Sequence, residues 1–182
     1  NSSRGVVSAA SYEARAFGVR SAMASVRAAA LCPDGVWVRP RMERYSEASR
    51  QVMQILEEAS PAVQQVSVDE AYLDLTPTGV APEDPESAAR RIAERIDRLG
   101  LSCSIGIATS RTVAKIASDF DKPHGITVVY PGSEAGFLSP MPVRRMPGIG
   151  PRAAATLRAA GIDTLGALAR LDPTTAESLM GS

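Results

Sequence analysis

Read for the spacing of its apolar positions, the chain switches repeatedly between helical and extended patterns. The opening G-V-V-S-A-A reads as a strand, and the S-Y-E-A-R-A-F-G after it as a short helix with Ser11 as cap and Gly18 as stop. A second helix is expected from Ala22 to about Leu31, closed by Pro33. Between Glu43 and Ala59 the positions Tyr45, Ala48, Val52, Ile55, Leu56 and Ala59 recur at helical spacing, which predicts an amphipathic helix with one buried face. A loop from Thr76 to Pro85 precedes a helix that runs to Leu99 and stops at Gly100. Its stripe is Ala89, Ile92, Ile96 and Leu99, while Glu94 and Arg98 pair one turn apart. Leu101, Cys103, Ile105 and Ile107 then alternate with Ser102, Ser104, Gly106 and Ala108, a strand with one greasy face and one face of small side chains. The small face leaves room for something close, either a packed helix or a bound group. A helix near Thr112 to Phe120 and a strand at I-T-V-V-Y follow. Residues 42–130 thus alternate helices and strands and predict an α+β sandwich. Beyond Pro131 the pattern is helical, which marks a boundary to a small second unit.

One stretch breaks this regularity. In V-S-V-D-E-A-Y-L-D-L, Val66 and Val68 sit on even positions whereas Ala71, Leu73 and Leu75 sit on odd ones, so the phase slips at Asp69 and Glu70. A continuous strand cannot do this without exposing half of its apolar set. A hairpin turn or bulge centred on the two acids resolves the conflict and offers both carboxylates to one spot. With a further acid from a neighbouring strand, such a pair suits two magnesium ions clamping the oxygens of a phosphoryl transfer. The competing explanation is that acids simply favour turns.

In the helix beginning near Arg111, Val113, Ile116, Ala117 and Phe120 share one face. Arg111, Lys115 and Ser118 project from the other, with Lys122 in line if the helix persists as far as Pro123. Every other basic residue is arginine; lysine occurs only at Lys115 and Lys122. Lysine is a compact donor that can release a proton, which arginine effectively cannot, so a chemical need is one reading and chance the other.

Charge and composition narrow the classes. The 182 residues carry 20 basic and 20 acidic side chains. Their distribution is uneven: residues 1–50 net +4, residues 51–100 net −6 and residues 101–182 net +2. An acidic middle between basic flanks suits a metal-binding floor beside phosphate-binding walls, and solvated helix faces would also produce it. His124 is the single histidine, which disfavours a Ser-His-Asp or Cys-His relay. Cys32 and Cys103 stand far apart with no ligand-spaced partners, so they read as ordinary buried thiols rather than a zinc site. No apolar run of about 18 residues could span a bilayer and no segment reads as a signal peptide, so the expected address is cytoplasmic, with no membrane partner. The chain starts without methionine and stops after a helical pattern at Met180, and is expected to be part of a longer gene product.

Near the C-terminus, M-P-G-I-G-P-R-A-A-A-T-L-R-A-A-G-I-D-T-L-G-A-L-A-R-L has the pattern of a helix-hairpin-helix. Pro147, Gly148, Ile149 and Gly150 form its tight turn, and Leu157, Ile162, Leu165 and Leu168 its packing. Glycines there let backbone N–H groups at a helix start approach a DNA phosphate without reading sequence. A hairpin used only for packing would look the same.

Taken together, Y-E-A-R-A-F-G-V-R-S-A-M, S-V-D-E-A-Y-L-D, S-I-G-I-A-T-S-R-T-V-A-K-I-A-S-D-F-D-K-P-H-G and P-G-I-G resemble, in order and spacing, the Y-family (translesion) DNA polymerases, nearest their DNA polymerase IV (DinB) branch. The resemblance implies fingers over residues 1–41, including part of a preceding strand. It implies a catalytic palm over 42–130, with a ferredoxin-like sheet and helices on one face, and a helix-hairpin-helix thumb over 131–182. By that resemblance Asp69 and Glu70 bind two catalytic Mg²⁺ ions, for which Mn²⁺ can substitute, and Tyr12, Arg15 and Lys122 hold the incoming triphosphate. Lys115 is assigned a phosphate or DNA-backbone role, alongside Gly148, Ile149 and Gly150. The implied partners are primer-template DNA and a deoxynucleoside triphosphate, with a sliding clamp reached through a missing C-terminal region; the implied state is a monomer.

Two departures qualify the resemblance. The first palm strand, with an aspartate that ligates both metals and an aromatic that screens the sugar 2′-hydroxyl, should lie upstream of Asn1, and the little-finger domain is missing. Residues 1–182 alone are therefore expected neither to polymerise nor to hold DNA tightly. Two alternatives stay open: a non-catalytic relative that keeps the fold as a DNA-binding or scaffolding subunit, and a helix-hairpin-helix DNA-repair factor with an unrelated core.

Overall fold

A computed structural model describes residues 5–76 and 84–180 of the chain. Most of the expected loop from Thr76 to Pro85 lies outside the described residues. The chain divides into two compact units, residues 1–47 and residues 48–182.

In the first unit, helix α1 (Tyr12–Ala16) is capped by the Ser11 hydroxyl, which accepts from the Ala14 N–H at 3.3 Å. Gly18 ends the turn at φ +87°. The expected strand at G-V-V-S-A-A is reduced to a single bridge, Val6 to Ala24. Its neighbours hold it through Val7 N–H to Met23 O and Ala22 N–H to Val7 O, both 2.8 Å. The ladder cannot lengthen, because its partner segment turns into helix α2 (Ser25–Leu31) at once. That helix starts three residues later than expected: Ala22 has φ +64°, a left-handed conformation that no α-helix contains. Val7, Val19 and Ala28 form the small core, with Ala10, Ala14, Met23 and Cys32 around it.

Helix α3 (Met42–Ala59) begins in the first unit and continues into the second. The hairpin of β1 (Val63–Gln65) and β2 (Ala71–Leu73) follows, antiparallel with Val63 opposite Leu73 and Gln65 opposite Ala71. Helix α4 (Pro85–Asp97) is capped by Asp84. Ile55, Leu56, Ile92 and Ile96 make the core that α3 and α4 share, flanked by Val63, Ala71, Leu73 and Ile105 from the strands. Two expected stripe members are exposed instead: Tyr45, near the start of α3, and Leu99, carried past the end of α4 by the turn to Gly100.

Strand β3 (Ile105–Ile107), helix α5 (Arg111–Ser118) and strand β4 (Ile126–Val128) form a β-α-β unit in which β3 and β4 run parallel. Only three residues of the expected eight-residue strand are ladder-bonded, because β4 offers three partners. The small face is filled by a helix. A Cβ built on Gly106 would stand 2.0 Å from Ala114 O and 2.9 Å from Ala117 Cβ, so glycine is what lets α5 lie directly on β3. Val113, Ile116 and Ala117 are buried as the helical spacing requires. The helix stops at Ser118 rather than reaching Phe120, whose ring is largely exposed and packs against Phe137 at 5.4 Å between centroids.

The rest is helical: α6 (Glu134–Leu138), a 3₁₀ turn at Val143–Arg145, α7 (Pro151–Ala159), α8 (Leu165–Leu168) and α9 (Pro173–Met180). Val143, Ala154, Leu157 and Ile162 form their core. Leu165 faces the other way, clustering with Ile116 of α5 and Met141. Among the described residues the strands form two two-stranded sheets, and the fold class is α+β.

Candidate active site

The slip in alternation at Asp69 and Glu70 is a hairpin turn. Val66 N–H and Ser67 N–H both donate to Glu70 O, at 2.9 and 3.2 Å, closing the loop between β1 and β2. Val66 and Val68 belong to that turn and stay 54% and 45% exposed, which is why they fall out of phase with the buried face. The Ser67 hydroxyl donates to Asp69 Oδ1 at 2.6 Å and so fixes the aspartate. Gln65 Nε2 donates to Ser67 O at 2.9 Å and to the buried Ser49 Oγ of α3 at 3.1 Å, tying the turn to its supporting helix. Neither Gln65 nor Ser49 carries a sequence signal beyond being polar on an otherwise apolar face.

Helix α5 brings the cations. Lys115 Nζ donates to Glu70 Oε1 and lies 3.9 Å from Asp119 Oδ2, while Lys122 Nζ meets Asp119 Oδ1 at 2.5 Å. Asp119 therefore links the two lysines. The sequence held the clue, since it lies four residues after Lys115 and three before Lys122. Burial lowers the Lys115 pKa, but the Glu70 hydrogen bond and the charges of Asp119, Glu70 and Tyr72 outweigh it, so the ammonium is held above the ordinary lysine value. One turn earlier, the Arg111 guanidinium sits over the Tyr72 ring at 5.7 Å. Thr76 hydrogen bonds, with a smaller contribution from Arg111, hold the Asp74 pKa below the usual carboxylate value.

These contacts share a spacing. Residues 70, 72 and 74 point to one side of the extended chain at about 6.6–6.8 Å per two residues, and Lys115 and Arg111, four apart, recur at about 6 Å along the helix. The two repeats match, so Glu70, just before β2, and Tyr72, within it, meet Lys115 and Arg111 one turn apart on α5.

The turn acids fit a hard divalent cation in donor type, since both are exposed carboxylates and an ammonium already stands on Glu70. Among the described residues no group of three or more His, Cys, Asp or Glu side chains that could hold a metal ion gathers. Tyr12 and Arg15 lie in the first unit, both exposed, with the Arg15 guanidinium 5.3 Å from the Tyr12 ring centroid and its Nε donating to Ala10 O at 3.0 Å. In the helical hairpin, Gly148 has φ +94° and needs no side chain for that reason. Gly150 opens α7 at φ −76°, exposed, with nothing within 4 Å of an added Cβ. Among the described residues neither backbone strain nor packing requires glycine there, and as the N-cap of α7 it is a favoured residue type. Among the described residues no helix is long and apolar enough to cross a membrane.

Residues 1–119 match the family described as impB/mucB/samB, and residues 131–162 match the IMS family HHH motif. DNA polymerase IV of Methanoculleus marisnigri is 48% identical over 169 residues, covering 93% of this chain and 47% of the relative. DNA polymerase IV of Streptomyces coelicolor is 45% identical over 169 residues, covering 91% of this chain and 35% of the relative. DinB from Sulfolobus solfataricus has a TM-score of 0.90 at 30% identity over all of this chain and 54% of that one. The insertion ternary complex of Dbh DNA polymerase has a TM-score of 0.87 at 30% identity over 98% of this chain and 53% of its own. The chain thus spans about half the length of most of these proteins, 47% for the first relative. With its first 119 residues matched by one model and its helical hairpin by a second, the chain belongs to the impB/mucB/samB family.

Proposed function

We propose that the whole protein is a template-directed DNA polymerase of the translesion type, which adds deoxynucleotides to a primer 3′ end by two-metal-ion nucleotidyl transfer. The observation that carries this reading is the junction of the turn acids with the lysine helix: Glu70, Lys115, Asp119 and Lys122 form one charged network. Magnesium ions, or manganese in their place, when bound supply the Lewis acid for the attacking and leaving oxygens.

The chain's own residues do the rest. Asp69 and Glu70 offer hard carboxylate oxygens, with Ser67 restricting the Asp69 rotamer. Lys122 and Arg15 supply positive charge for the incoming triphosphate, and the Tyr12 ring steadies the Arg15 guanidinium. Lys115 and the backbone of the turn at Gly148, Ile149 and Gly150, of which the two glycines are exposed, hold the phosphates of primer-template DNA. Gly150 leaves room for such a contact, since it is exposed and nothing among the described residues lies within 4 Å of an added Cβ.

Primer extension by the whole protein, with Asp69→Ala and Glu70→Ala beside it, tests the assignment. Both variants are expected to keep DNA binding by fluorescence anisotropy and to lose extension by on the order of a thousandfold, the several kcal/mol that metal-assisted charge stabilisation contributes. Extension by both at the parental rate overturns it.

A further inference from the structure

Lys115 stands between two carboxylates. Its ammonium donates to Glu70 Oε1 and lies 3.9 Å from Asp119 Oδ2. Glu70 belongs to the hairpin, whereas Asp119 lies one turn further along the lysine's own helical segment. The backbone beneath the lysine is pinned: Val113, Ile116 and Ala117 are buried, and Gly106 presses the helix onto β3. The side chain, 26% exposed with four flexible methylenes, is not. Moving the ammonium from Glu70 to Asp119 therefore takes rotamer changes alone. Asp119 has capacity to receive it. A carboxylate offers about four acceptor positions, and Lys122 occupies Oδ1 while Oδ2 faces Lys115.

We infer that Lys115 is an internal counter-ion of Glu70 that an arriving divalent cation displaces, and that Asp119 is the positioning residue that receives the released ammonium. This rests on reading Glu70 as a metal ligand and adds a competition to it. A lysine nitrogen at hydrogen-bond distance from Oε1 occupies an acceptor position that a metal ion would use. A divalent cation on that carboxylate also repels the ammonium more strongly than the single charge of Lys122 does at Asp119. The affinity for metal is then set by the difference between the two seats available to Lys115, not by the carboxylates alone. Before the cation arrives, the lysine neutralises Glu70; afterwards its charge is free of the metal site and remains beside Lys122.

Mn²⁺ binding to the whole protein without DNA, followed by electron paramagnetic resonance, tests this independently of catalysis. Lys115→Met is expected to bind Mn²⁺ about fivefold more tightly, the upper range for a partly exposed ion pair, and Lys115→Arg to stay near the parent. Asp119→Asn is expected to weaken Mn²⁺ binding in the parent and to change it far less in the Lys115→Met background, because its effect passes through the lysine. Equal affinities for Lys115→Met and the parent overturn the competition. An undiminished Asp119→Asn effect in the Lys115→Met background overturns the role of Asp119. Glu70→Gln separates the inference from its premise: parental Mn²⁺ affinity in that variant removes Glu70 as a ligand, whereas weakened binding leaves the competition to be decided by Lys115→Met.

Discussion

The Lys115 ammonium donates to the Glu70 carboxylate across 45 residues of sequence, joining the turn of a β-hairpin to the crossover helix of a β-α-β unit. Glu70 is 47% exposed, so this ion pair contributes little to stability. A double-mutant cycle on thermal stability with Glu70→Gln and Lys115→Met should return a coupling of about 1 kcal/mol or less. A coupling of several kcal/mol would instead indicate a desolvated pair.

Gly106 carries the contact between strand and helix. Substitution by alanine forces a Cβ to within 2.0 Å of Ala114 O, which is backbone and cannot rotate away. The Gly106→Ala protein should lose about 3 kcal/mol or more in urea unfolding. A loss below about 0.5 kcal/mol would show that α5 can lift from β3.

Leu157 anchors the helical hairpin and is 0% exposed. Leu157→Ala should cost about 3 kcal/mol in denaturant unfolding, from lost burial and the cavity left behind. The same substitution at the exposed Leu101 should cost far less.

The two turn glycines should behave differently. Gly148, at φ +94°, pays conformational strain as alanine, and Gly148→Ala should cost about 1 kcal/mol. Gly150→Ala replaces a favoured N-cap residue of α7, so it should cost about 0.5–1 kcal/mol and weaken DNA binding by the whole protein. Calorimetry and fluorescence anisotropy on both variants separate conformational from contact roles.

Glu134 adds a pH dependence. The Thr109 hydroxyl donates to its carboxylate at 2.6 Å and, as the largest cause, lowers its pKa from the ordinary 4.5. A depressed carboxylate stabilises the fold above its unfolded pKa and loses that contribution as pH falls through the folded value. Acid unfolding below pH 4.5 should therefore be less steep in Thr109→Val, followed by circular dichroism from pH 6 to pH 2.

Much of the fold was legible from spacing. The amphipathic run of α3 appears within one residue of its expected start, and the stripe of Ala89, Ile92 and Ile96 is buried. The turn at Asp69 and Glu70 could be read because a two-residue period cannot change phase without a break in the strand. Element ends were read less well. Ala22 blocks α2 through a backbone angle that alanine does not advertise, and β3 is short because its partner is short.

The site divides along the same line. Local order alone determined that two acids share a turn, that Lys115 and Arg111 share a helix face, and that a glycine-rich turn opens α7, because each depends on neighbours within a few residues. Only the tertiary structure decided that the small face of β3 takes a helix and that Lys115 meets Glu70. The pairing of α5 with β2 is set by how α5 packs on β3 and by two repeats of nearly equal length, about 6 Å in the helix and 6.6–6.8 Å in the strand. Neither is visible along a single chain until packing lays one element beside the other.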